Sequence, residues 1–83
     1  MAKTITVYST ASCPFCIRLK MYLDEHKFPY TEKRVDLDQN AALEMYNKSQ
    51  QRGVPFTIIT DDDGTEHGVL GFDVPLLQKE LLG

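Results

Sequence analysis

The chain holds two thiols, Cys13 and Cys16, with only Pro14 and Phe15 between them. Thiols at that spacing can form a structural disulfide, supply half of a metal site, or act as a dithiol that exchanges with other disulfides and is regenerated. Ser12 can cap a helix that has Pro14 in its first turn, which puts Cys13 at the N-cap or first turn. There a sulfur meets unpaired N–H groups and the positive end of the helix dipole, both of which stabilise a thiolate more than a thiol. Cys13 is therefore the expected nucleophile, with a pKa below the free value of about 8.5 and within the roughly 3.5 to 7.5 range of such pairs. Cys16, about one turn further into the helix, is the expected resolving thiol. It would attack a mixed disulfide on Cys13, release the reduced partner and leave a Cys13–Cys16 disulfide.

The other two forms fit less well. A purely structural disulfide is poorly maintained in a reducing cytosol. Zinc takes four ligands, and the remaining candidates are His26 and His67. His26 lies ten residues beyond Cys16 on the same helix, about 15 Å along its axis, too far to share the ion. A metal or iron-sulfur cluster bridging two chains through Cys13 of each stays open. The acidic tract at 61–64 is expected to be a solvated hairpin tip.

The rest of the chain must position these thiols. Eighty-three residues, 42% apolar and 25% charged, fit one globular domain. A net charge of −3 lacks the concentrated Lys and Arg that nucleic acid or an anionic membrane would require. No signal-like segment is expected at the N-terminus and no apolar run approaches a spanning helix, so a cytoplasmic protein is expected.

Residues 4–8, "TITVY", read as a buried strand. The following helix carries Phe15, Leu19, Tyr22 and Leu23 on one face and should end near Lys27, before Pro29. Residues 30–37 read as a second strand, parallel to the first because a helix connects them. Asp38 or Asn40 can cap a second helix with Ala42, Met45, Tyr46 and Ser49 on one face and a Glu44–Lys48 pair. Residues 56–60 and the run 65–71 make a hairpin, and Asp73 caps a last helix with Val74, Leu77 and Leu81 on one side. The expected fold is α/β, βαβ-α-ββα, with a four-stranded mixed sheet flanked by three helices.

"CPFC" after a strand, "GVP" before the third strand and "GFD" before the last helix together resemble the glutaredoxin family, small thiol-disulfide oxidoreductases of the thioredoxin fold. The resemblance covers nearly the whole chain. It implies a cis Val54–Pro55 bond, with Pro55 beside the cysteines and the Val54 backbone pairing with an extended substrate such as glutathione. It also implies a γ-glutamyl site at the last helix around Gly71, Phe72 and Asp73, a carboxylate partner in Arg52, and a contact from Phe15. The implied partners are glutathione as co-substrate, disulfide-bearing proteins, and thioredoxin reductase as an alternative electron source. A monomer without tightly bound cofactor or metal is expected.

Three positions depart from many glutaredoxins: Phe15 replaces a tyrosine, Thr10 a basic residue, and Leu70-Gly71 a Gly-Gly pair. The related NrdH-type redoxins also carry Gly-Phe near the last helix, and they pass electrons from thioredoxin reductase to ribonucleotide reductase. Glutaredoxins sit near −200 to −230 mV and thioredoxin near −270 mV, a difference of roughly 2 to 3 kcal/mol.

Overall fold

The computed structural model describes residues 3–81. Its elements are β1 (Thr4–Ser9), α1 (Pro14–Glu25), β2 (Thr31–Arg34), α2 (Gln39–Ser49), β3 (Phe56–Thr60), β4 (Glu66–Leu70) and α3 (Val74–Leu81). This is the expected βαβ-α-ββα order. The sheet runs β2-β1-β3-β4, with β1 and β2 parallel and the other pairs antiparallel.

Strand alternation divides the core between the two faces. Ile5, Val7, Ile59 and Val69 meet Leu19 and Leu23 of α1 and Leu77 of α3. On the opposite face, Tyr8, Phe56 and Ile58 meet Met45 of α2. Each such aliphatic side chain, once fully buried, contributes about 1.5 to 3 kcal/mol. On the α2 face the Phe56 ring lies across Gly68, where an added Cβ would stand 2.9 Å from Phe56 Cζ. A larger residue there would displace the ring.

Thr57 sits between Val7 and Val69 in the sheet and is wholly buried. Its hydroxyl has no hydrogen-bond partner among the described residues. An unpaired buried hydroxyl costs about 1 to 3 kcal/mol. Thr57→Val is therefore expected to raise stability by about 1 kcal/mol in denaturant unfolding; a loss of that size would show that the hydroxyl is paired.

Several elements differ from the sequence expectation. β2 is only four residues long because the chain turns at Arg34, whose carbonyl accepts from Leu37 and Asp38 N–H at 3.2 and 3.0 Å. α1 ends at Glu25 in a Schellman turn, with Phe28 N–H donating to Leu23 O and Lys27 N–H to Asp24 O, and Lys27 takes the left-handed conformation at φ 59°. α1 buries Cys16, Leu19 and Leu23 and leaves Phe15 outside. α2, capped by Asp38, buries Ala41 and Met45, so its inner face is rotated from the expected 42/45/46/49 stripe and Tyr46 faces out. Glu44 does not pair with Lys48. It accepts from Lys33 Nζ at 2.8 Å and from the Tyr8 hydroxyl, while Lys48 reaches Glu66 on β4. Burial, then the bond to Glu44, pushes the Tyr8 hydroxyl pKa up, and the Lys33 ammonium holds the Glu44 carboxyl below its usual value.

Candidate active site

Strand register brings the candidate residues to one end of the sheet. Tyr8 pairs with Phe56, and Phe56 with Leu70. β1 leaves this row towards Cys13, β3 enters it from Val54-Pro55, and β4 leaves it towards Gly71, Phe72 and Asp73. Three segments far apart in sequence therefore converge at the head of α1.

Cys13 is the N-cap of α1, with Pro14 in the first turn. An extended residue is needed at that cap, and Cys13 has φ −100° and ψ 105°. Its sulfur accepts from the Cys16 N–H at 3.1 Å, so the sulfur takes the capping role that a serine or aspartate oxygen usually fills. Cys13 and Cys16 are joined as a disulfide with Cα atoms 5.2 Å apart. Cys13 is 8% exposed and Cys16 is 0% exposed. Cys13 therefore keeps a small exposed fraction where Cys16 has none, and a negative charge left on Cys13 meets an N–H already aimed at it.

Two groups that hold this corner escaped the sequence reading. Asp36 accepts from the Ala11 N–H at 3.2 Å and from Arg34 through two bonds of 2.6 and 2.8 Å. This clamp ties the turn before Cys13 to the end of β2. The Arg34 guanidinium holds the Asp36 carboxyl far below the usual carboxylate range. The second group is Ser9, wholly buried, which donates to Glu32 Oε2 at 2.6 Å; Lys20 of α1 donates to the same oxygen at 2.8 Å. These bonds, that from Lys20 first, lower the Glu32 pKa.

A carboxyl with a depressed folded pKa stabilises the fold above its unfolded pKa of about 4.3, and that stability is lost as pH falls through the folded value. Glu32→Gln is expected to lower stability by about 1 kcal/mol at neutral pH. The gap between variant and parent should close under acid conditions. An unfolding series against pH checks this, and a gap independent of pH would contradict it.

The Val54–Pro55 bond is cis. Pro55 is buried, and Val54 packs half-buried against the α2-side core. The loop before it is braced by Gln51, whose amide donates to Gly53 O at 3.1 Å and to Ser49 Oγ at 3.2 Å, and whose carbonyl accepts from Gly53 N–H. The Pro55 carbonyl accepts from the Gly71 N–H at 2.8 Å, so the two loops opposite the cysteines are joined directly. Gly71 has φ +78° with open space where a Cβ would be. The cost of Gly71→Ala is then purely backbone, about 1 to 2 kcal/mol, measurable as a lower denaturation midpoint; an unchanged midpoint would refute it.

The remaining candidates take distinct places. Asp73 accepts from the Leu76 N–H at 3.2 Å and caps α3. Phe72 packs against the α1–α3 core, edge-on to Tyr22 with ring centroids 6.1 Å apart. Phe15 is 51% exposed, with the Arg18 guanidinium 5.4 Å from its ring centroid. Leu70 is 56% exposed and lies beside Gly53, where a built Cβ would stand 3.8 Å from Leu70 Cδ1. Arg52 is exposed, 5.6 Å from the Tyr46 ring centroid. Among the described residues no three His, Cys, Asp or Glu side chains form a metal cage, and no helix is long and apolar enough to cross a membrane.

Comparison with known proteins agrees with this geometry. Residues 5–63 match the family model described as Glutaredoxin. The "uncharacterized glutaredoxin-like 8.6 kDa protein in rubredoxin operon" of Clostridium pasteurianum is 37% identical over 75 residues, spanning 90% of this chain and 93% of the relative. Among solved structures, the thioredoxin-like protein BC3987 superposes with TM-score 0.81 at 30% identity, covering 93% of this chain and 99% of the other. The glutaredoxin-like protein NrdH-redoxin from Escherichia coli does so with TM-score 0.76 at 22% identity, covering 92% of each chain; that likeness is one of fold, which is thioredoxin-like. With the family model spanning most of the chain and the Cys13–Cys16 pair at the head of α1, the chain belongs to the glutaredoxin family.

Proposed function

We propose that the chain is a dithiol oxidoreductase that reduces protein or glutathione mixed disulfides, acting as a monomer in the cytoplasm. The observation that carries this is the asymmetry of the pair. Cys13 is reachable and faces an N–H at the helix start, while Cys16 is sealed one turn below. In the reduced protein the Cys13 thiolate attacks a substrate disulfide, forming a mixed disulfide and expelling one substrate thiolate, which takes up a proton. Cys16, as it loses its proton, attacks the Cys13 sulfur, expels the second substrate thiol and closes the Cys13–Cys16 disulfide. Two electrons pass to the substrate, and two glutathione molecules return them on becoming glutathione disulfide.

In this reading glutathione lies across the cysteines as an extended chain. The Val54 backbone pairs with it, Arg52 takes a carboxylate, and the Gly71–Phe72–Asp73 corner takes the γ-glutamyl end. A second reading rests on that corner: the Gly71 N–H already donates to Pro55 O and the Asp73 carboxylate already caps α3. A redoxin fed by thioredoxin reductase has no need of a tripeptide site there. The E. coli NrdH-redoxin is described as glutaredoxin-like with a thioredoxin-like activity profile.

NADPH consumption with a disulfide substrate distinguishes these readings when the protein is fed in parallel by glutathione with glutathione reductase or by thioredoxin reductase alone. Turnover in the glutathione arm supports the first reading. Turnover confined to the other arm supports the second, and turnover in neither overturns both.

A further inference from the structure

Two large apolar side chains stand on the outward face of α2. Leu43 is 61% and Tyr46 42% exposed, and with Val35, Ala42, Met45 and Arg52 they line a groove of about 480 Å³. Arg52 lies at the groove, 5.6 Å from the Tyr46 ring centroid. Lys33 and Lys48, the other cations around α2, are each paired with a glutamate, whereas Arg52 is in no ion pair among the described residues. Its planar fork is suited to a carboxylate from outside. The groove shares a core with the loop at the cis bond: Val35 on its wall and Val54 pack against one cluster, Tyr8, Met45, Phe56 and Ile58, and Arg52 stands two residues before Val54.

We infer that this groove is a docking subsite for the protein substrate, taking an extended segment whose apolar side chain packs between Leu43 and Tyr46 and whose neighbouring carboxylate pairs with Arg52. The inference rests on the reading of Cys13 as the attacking thiol. It adds to that reading a preference among protein disulfides, for those with an apolar and an acidic residue next to the cysteine. A polypeptide supplies both features on one extended chain together with the disulfide that Cys13 attacks, and the unpaired cation selects the acidic kind.

Two peptide disulfides test it, alike except that the residues flanking the cysteine are Leu and Glu in one and Ser and Lys in the other. Hydroxyethyl disulfide serves as a substrate too small to reach the groove. The Leu-Glu peptide should be reduced with about tenfold higher kcat/KM. Leu43→Glu should abolish that preference and leave hydroxyethyl disulfide turnover within about twofold, since Leu43 is a surface residue. Equal rates for the two peptides in the parent protein would overturn the inference. So would a Leu43→Glu variant that slows all three substrates alike, or a concentration-dependent dimer that Leu43→Glu dissolves, which would assign the groove to a second copy.

Absence of turnover with any disulfide would instead defeat the reading of Cys13. The groove is then judged by NMR titration with the Leu-Glu peptide carrying serine for cysteine. Shifts at residues 42–46 and 52 would support it, and silence there would overturn it.

Discussion

Cys13→Ser is expected to lower kcat/KM for disulfide reduction by about 10³-fold or more, because a hydroxyl at the helix cap is not ionised near neutral pH and cannot start the exchange. Cys16→Ser should behave differently. The mixed disulfide on Cys13 still forms, but no internal thiol resolves it. Reduction of protein disulfides should then fall to a similar extent, whereas a glutathione mixed disulfide should still turn over by attack of a second glutathione. Parallel assays of the two variants check this, with mass spectrometry to detect the trapped adduct on Cys13. Activity retained in Cys13→Ser, or adducts on Cys16 in its place, would contradict the assigned roles.

The second large effect is structural and acts on the other wall of the site. α3 has one wholly buried residue, Leu77, which packs with Ile5, Val7, Ile59 and Val69. Its N–H donates to Asp73 O at 2.9 Å, so the same residue anchors the helix and the corner at 71–73. Leu77→Ala is expected to cost about 3 kcal/mol, a fall in Tm of roughly 12 to 24 °C for a domain of this size. Thermal unfolding measures it directly. A loss under about 1 kcal/mol would mean that α3 is held by something other than its core contact.

The parts of this molecule legible in the sequence are those governed by local chemistry. Pro14 one residue after Cys13 signalled a helix start, the β-branched run at 4–8 signalled a strand, and Asp38 and Asp73 stood where caps are needed. What escaped depended on neighbours across the sheet. Ala42 and Tyr46 read as well as Ala41 for an inner face, because a short helix of mixed polarity gives a weak periodicity; only docking on Tyr8 and Phe56 sets its rotation. Glu44 had a partner at helical spacing in Lys48, yet β2 places Lys33 closer and β4 takes Lys48 away. The Arg34–Asp36 clamp on Ala11 lay inside a stretch that read as strand. Its cue was charge alternation in "KRVDLD", which a strand and a turn share. Phe15 carried the apolar spacing of an inner residue, but in the first turn of α1 it is Cys16 that is buried, with Leu19 and Leu23 beyond it, and Phe15 is left half exposed.

The measurement that bears most directly on the assigned chemistry is a redox titration of the Cys13–Cys16 pair in glutathione or dithiothreitol buffers, with the thiol state read by alkylation and mass. A pair that works by exchange should titrate as one two-electron couple, about 30 mV per tenfold change in equilibrium constant, with a midpoint between about −180 and −270 mV. A bond that stays oxidised below about −300 mV would be a structural disulfide, and the reading of this protein as a disulfide reductase would fall with it.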